Sequence, residues 1–121
     1  MTTENCYARI GGDWDGVLSR LGSEARVSRF LRMVPGDASF QTLSDALARG
    51  DVNTAFRAAH SLKGLALNLG LTPLAVSAGS LTELLRSGQD QGADDLFQEV
   101  RDSYDIIIAA ILEWEGGSCH G

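Results

Sequence analysis

The segment from Asp51 to Leu71 reads DVNTAFRAAHSLKGLALNLGL, and its apolar period decides the fold. At roughly 100° per residue, Ala55, Ala59, Leu62, Ala66 and Leu69 fall on one side of a helix and predict a core-facing stripe. Asp51 can cap the start, because a carboxylate accepts from the free N–H groups of the first turn. The helix should end near Gly70. Thr72-Pro73 then reads as a capping hydroxyl followed by proline at the first position of a new helix. His60 points away from the stripe. Lys63 and Gly64 lie one turn on, beside it on the exposed face, with Asn53, Phe56 and Leu67.

Two residues on that face are unusual for a purely structural helix. Gly64 sits in mid-helix, where glycine costs about 1 kcal/mol relative to alanine; that cost points to a need for close approach to the backbone. Lys63 is the only lysine in the chain. One turn from an exposed histidine, it offers a compact, mobile cation to an anion held on the ring.

The run HSLKGLALNLG, His60 to Gly70, resembles the phosphoacceptor helix of histidine-phosphotransfer (HPt) domains, whose pattern is roughly H-x-L-K-G-x-x-x-N-L-G. His60, Leu62, Lys63, Gly64, Asn68, Leu69 and Gly70 match it. Looser resemblance extends from about Ile10 to Gly88, with GGD before a first helix and L-x-x-x-x-R-S-G ending the helix after the motif. The family usually has small residues where this chain has Leu65, Leu67 and Leu71. Leu67 shares the histidine face, so it either widens an apolar docking patch or crowds a partner selected for a small residue.

The resemblance implies that His60 accepts and returns a phosphoryl group, with Nε2 as the attacking atom. A neutral imidazole nitrogen is a competent nucleophile near neutral pH. Lys63 would draw in the phosphoryl oxygens, since such transfer depends mainly on positioning and electrostatics. Gly64 would give the partner access to the helix. Asn53, Phe56, Arg57 and Leu67 would form the docking surface, Arg57 as a cationic rim. Asn68 reads either as a hydrogen-bonding support or as a helix-end residue. The implied partner is a receiver domain of a hybrid sensor kinase or a response regulator. Such a receiver carries its own phosphorylatable aspartate and Mg²⁺. No cofactor or metal is expected on this chain: it has no phosphate-cradling glycine loop, no ATP motif and no hydrolase arrangement around His60. The expected role is that of a phosphoryl carrier without kinase activity of its own.

With 121 residues, 44% hydrophobic and 21% charged, the composition fits one modest globular domain. The net charge of −6 is uneven: residues 90–115 hold eight acids and one arginine, whereas the rest is nearly balanced. An acidic total argues against nucleic acid as partner. The longest apolar run, Ile106 to Leu112, is far below the ~20 residues of a spanning helix. MTTENCYARIGGDW lacks a basic start and an apolar run, so no secretory signal is expected and a cytoplasmic monomer is. Cys6 and Cys119 lie near opposite ends; free thiols fit such a chain better than a disulfide. His120 beside Cys119 supplies too few ligands for a metal site.

Along the chain, residues 1–11 read as a flexible lead, 12–115 as an HPt-like helical domain and 116–121 as a flexible tail. Asp13 caps a short helix with Trp14, Val17, Leu18 and Leu21 inward. Ser23 caps the next, with Val27, Phe30, Leu31 and Val34 inward and Arg26, Arg29 and Arg32 in solvent. Pro35-Gly36-Asp37 stops it. A helix over 38–49 buries Phe40, Leu43 and Leu47 and ends at Gly50. After the His60 helix, residues 73–87 bury Leu74, Ala78, Leu81 and Leu85. Residues 93–114 bury Leu96, Val100, Tyr104, Ile107, Ile111 and Trp114. The fold class is therefore all-α: an up-down-up-down four-helix bundle with two additional N-terminal helices. Two other functions fit the same face. One is a helical adaptor that binds receivers without taking up phosphate. The other is a histidine-kinase dimerisation domain, which needs a second helical hairpin and a nearby ATP-binding domain.

Overall fold

The computed structural model describes the backbone of residues 1–120 and the side chains of residues 1–116. Among them it contains only helices and turns. They are α1 (Thr3–Ile10), α2 (Trp14–Leu21), α3 (Glu24–Met33), a 3₁₀ turn (Val34–Gly36), α4 (Ser39–Ala48), α5 (Val52–Asn68), α6 (Thr72–Arg86) and α7 (Ala93–His120). No described helix is long and apolar enough to cross a membrane.

The expected stripe of α5 is the centre of the core: Ala55, Ala59, Leu62, Ala66 and Leu69 are all buried. All five are alanine or leucine at three- or four-residue spacing, and three of them are alanine, so neighbours can approach closely. α5 packs on α4 and on α6, and α7 packs on α6. Phe40 of α4 stacks on Tyr104 of α7, with centroids 4.2 Å apart and planes 4° from parallel. It also stacks on Phe97 at 5.5 Å. These rings join α4 to α7.

Asp51 caps α5 as expected. Its Oδ1 accepts from the Thr54 N–H at 3.1 Å and its Oδ2 from the Thr54 hydroxyl at 2.7 Å. These two bonds from Thr54, with Arg49 nearby, hold the carboxyl below its ordinary range. A lowered folded-state value means that the unfolded chain binds the proton more readily. The cap therefore contributes fully above about pH 4 and its contribution is lost as the pH falls through the folded value. Urea midpoints should drop on acidification below about pH 4, and Asp51→Ala should show a lower midpoint at neutral pH with a shallower acid decline. Identical acid profiles for the two chains would show that the cap does not contribute.

Several expectations need correction. Residues 3–10 are a helix, not a flexible lead, so three helices, α1 to α3, precede α4, not two. Thr2 caps α1 through a 3.0 Å bond from the Asn5 N–H, and Gly11 ends it at φ +77°. Cys6, Tyr7 and Ile10 are buried. Eight residues are too few to hold a helix alone, so burial against the rest of the fold decides this one. Burial also pushes the Cys6 thiol up to about 11, which makes it an inert core group. Cys6 is free, and the side chain of Cys119 lies outside the described residues, as does that of His120. The last helix continues to His120, beyond the expected start of a tail at 116. α6 starts at Thr72 itself: Leu71, fully buried, is the residue before the first turn, and no side chain caps it. Phe30 is 36% exposed rather than inward, with the Arg29 guanidinium 5.6 Å from its ring centroid. Arg32 is not merely solvated, since it lies 4.8 Å over the Trp114 ring.

The N-terminal helices grip the C-terminal end of α5. The Tyr7 hydroxyl donates to the Leu69 carbonyl at 2.6 Å. Arg20 donates to the carbonyls of Leu67 and Asn68 at 2.9 and 3.2 Å. The Asp13 N–H donates to the Gly70 carbonyl at 2.8 Å. Helix ends leave their last carbonyls unpaired, and here α1, α2 and their link satisfy four in succession. A cation at a helix C-terminus also complements the dipole. Arg9 pairs with Glu113, tying α1 to α7.

Candidate functional site

His60 is exposed on the outward face of α5. Its ring lies nearly parallel to that of Phe56, with planes 14° apart and centroids at 6.2 Å. Phe56 is half-buried against the core, so it offers the imidazole a fixed apolar neighbour one turn away. The Arg86 guanidinium of α6 also lies over Phe56, 5.3 Å from the ring centroid. Arg86 also contacts Glu83 at 3.3 Å. Phe56 thus links Arg86 of α6 to His60 of α5.

Lys63 is half-buried. Its stem runs over Gly79 of α6: a Cβ at Gly79 would lie 3.7 Å from Lys63 Cε. A long aliphatic stem lying on a neighbouring helix keeps its ammonium at the surface. Gly64 has nothing within 4 Å of where a Cβ would be. It is an opening on the histidine face and not a contact between helices.

Of the expected docking residues, Asn53, Arg57 and Leu67 are exposed and Phe56 is half-buried. Arg57 turns toward α4, where it lines a polar depression of about 380 Å³ with Thr54 and Ser61. Asn68 is the last residue of α5 and is exposed; its carbonyl binds Arg20 and its flank lines a cavity of about 370 Å³ with Leu65, Phe30 and Met33. Arg86 and Gly79 had no assigned role from sequence. The mid-helix cost that singles out Gly64 applies equally to Gly79, so that signal was present. Arg86 stands in the R-S-G that ends its helix, but only the tertiary contact places it over Phe56.

The Hpt domain model matches residues 27–110, more than half of the chain. The chain belongs to the Hpt domain family. Domains of this family carry out histidine phosphotransfer in phosphorelays and interact there with receiver domains. The Hpt match includes α5 and α6 with every residue of the His60 face described above. It leaves out α1 and α2, which grip the end of α5. Comparison with curated proteins and with solved structures produced no match.

Proposed function

We propose that this chain is a phosphoryl carrier that relays a phosphoryl group between receiver-domain aspartates through His60. The observation that carries this reading is an exposed histidine, steadied by Phe56, on the open face of α5 within the Hpt match. We read α4 to α7 as the up-down-up-down bundle that presents it, with His60 in the role of phosphoacceptor.

In the forward step, a neutral ring nitrogen attacks the phosphorus of an aspartyl phosphate. The N–P bond forms, the acyl P–O bond breaks, and the aspartate leaves as carboxylate. The proton on the other ring nitrogen passes to solvent. The return step reverses these changes on a second receiver. The receiver supplies the Mg²⁺, and this chain contributes nucleophile, position and charge. Lys63 lies along the same face and offsets charge on the phosphoryl oxygens. The chain has no kinase activity of its own in this reading. The test is incubation with a phosphorylated receiver, followed by mapping of an acid-labile label. A chain acting by binding alone takes up no label.

Lys63→Ala should slow transfer from the phosphorylated receiver by about tenfold or more. The stability cost should stay below about 1 kcal/mol, because only the stem packs. Lys63→Arg should restore part of the rate, since a planar fork does not replace a compact ammonium. Rapid-quench kinetics across ionic strength give the answer, and unchanged rates in Lys63→Ala would remove this residue from the chemistry.

Gly64 sets stability against function. The open space around it means that Gly64→Ala meets no clash. The change should stabilise the fold by about 0.5–1 kcal/mol through the unfolded chain. Transfer should weaken in Gly64→Ala and weaken further in Gly64→Leu, as a partner loop loses its approach to the helix. Urea melts and transfer rates on the same samples check both halves. Undiminished transfer in Gly64→Leu would mean that the partner does not approach there.

A further inference from the structure

Side chains on a helix lean back toward its N-terminus, so each lies over the turn before its own Cα. His60 therefore leans toward position 56, and a side chain at position 64 would lean over His60. Those two positions hold opposite extremes of side-chain size, a phenylalanine and a glycine. Phe56 meets the imidazole with planes 14° apart and centroids at 6.2 Å, within the range of an offset aromatic pair. At Gly64 nothing lies within 4 Å of where a Cβ would stand. The imidazole is supported on its N-terminal side and open on its C-terminal side.

The support is itself fixed. Phe56 is half-buried and packs against the core. The Arg86 guanidinium lies 5.3 Å from its ring centroid, close enough for a cation to be attracted to a π face. Arg86 in turn donates to Glu83 in the last turn of α6. A histidine on a helix without such a neighbour has about two χ1 wells and a roughly two-fold choice about χ2, or about four arrangements. Only one of them puts the attacking nitrogen in a given place.

We infer that Phe56 is a positioning residue for phosphoryl transfer: its ring holds the His60 imidazole in one rotamer, presented toward the side that Gly64 leaves open. The inference rests on the phosphotransfer reading above and gives Phe56 a role on His60 in place of a role in contact with the partner. A receiver brings its aspartyl phosphate in one orientation, so in-line attack needs the nitrogen in one place. There the N–P bond forms, the acyl P–O bond breaks, the aspartate leaves as carboxylate and the proton of the other ring nitrogen goes to solvent. A small, freely tumbling phosphoryl donor has no such requirement, because it can meet the ring in any rotamer. That difference separates positioning from docking and from the reactivity of the nitrogen itself.

The test is single-turnover transfer to the full chain from a phosphorylated receiver, measured against receiver concentration, beside labelling by phosphoramidate with no receiver present. Phe56→Leu keeps an apolar side chain on the core and removes the ring; circular dichroism verifies folding. Its saturating transfer rate should fall about fourfold. Its half-saturating receiver concentration should stay within about twofold of native, and its phosphoramidate labelling rate should not change. Phe56→Tyr keeps the ring and should restore the saturating rate. Nuclear magnetic resonance couplings of the His60 Cβ protons should report one χ1 rotamer in the native chain and an average in Phe56→Leu. Averaged couplings in the native chain would overturn the proposal without any variant. A change confined to the half-saturating concentration would make Phe56 a docking residue, and an equal fall in phosphoramidate labelling would place the effect on the nucleophile itself; either result overturns the positioning role. A native chain that is labelled, with Phe56→Leu indistinguishable from it, removes the positioning role alone. A native chain labelled by neither donor removes the phosphoacceptor reading and this role with it.

Discussion

His60→Gln should fold as the native chain does and take up no phosphoryl group. Native chain incubated with a phosphorylated receiver should become labelled, with the label lost in acid and kept in alkali. The side chain is exposed, so its replacement leaves the core untouched. Its only described ring neighbour is Phe56, which is itself held by the core. The stability change should stay within about 0.5 kcal/mol, as is usual for surface positions. The loss of transfer should be complete, because no other group on this face can serve as the nucleophile: glutamine keeps a polar end but has no attacking ring nitrogen. Equal labelling of the mutant and native chains would end the phosphoacceptor role. Circular dichroism alongside the labelling separates a chemical loss from an unfolded chain.

Gly70→Ala should be strongly destabilising. Gly70 has φ +66°, a conformation that costs an L-residue about 1–2 kcal/mol. A Cβ there would also stand 2.8 Å from the Asp13 carbonyl oxygen and 3.3 Å from Val17 Cβ. The first of these atoms is backbone and cannot turn aside. Gly12 faces the same seam, where a Cβ would lie 2.7 Å from the Gly70 carbonyl oxygen. Pushing the seam open strains the Asp13–Gly70 hydrogen bond and, beside it, the bonds of Tyr7 and Arg20 to the end of α5. The total loss should be about 3–4 kcal/mol. Gly50→Ala provides the comparison, since Gly50 has φ +73° but nothing within 4 Å of a Cβ. It should lose only the backbone part, about 1–2 kcal/mol. Equal losses at the two positions, measured by urea denaturation, would show that the seam tolerates a methyl group and that its close approach does not matter.

The same seam explains why two short motifs, GGD at residues 11–13 and NLG at 68–70, stand in this chain far apart in sequence. They meet as backbone against backbone, which side-chain patterning does not report. Their joint effect on function is positional: the end of α5 is held while its middle turns carry His60 and Lys63.

What the sequence determined by itself was local and periodic. The 3.6-residue period marked the buried side of α5, and with it the outward placement of His60, Gly64 and Leu67. Asp13, Ser23 and Asp51 were legible as caps because a cap needs only a short polar side chain and the next three residues. The tertiary structure decided whatever depends on a distant partner. α1 exists as a helix because Cys6, Tyr7 and Ile10 find a core to enter, which an eight-residue stretch cannot announce. Phe30 leaves the expected stripe for the rim of a cavity. Arg86 reaches Phe56, and the stem of Lys63 finds Gly79, only because α6 lies beside α5. Periodicity tells which way a side chain points from its own helix axis; it carries no information about which neighbour will be there to meet it.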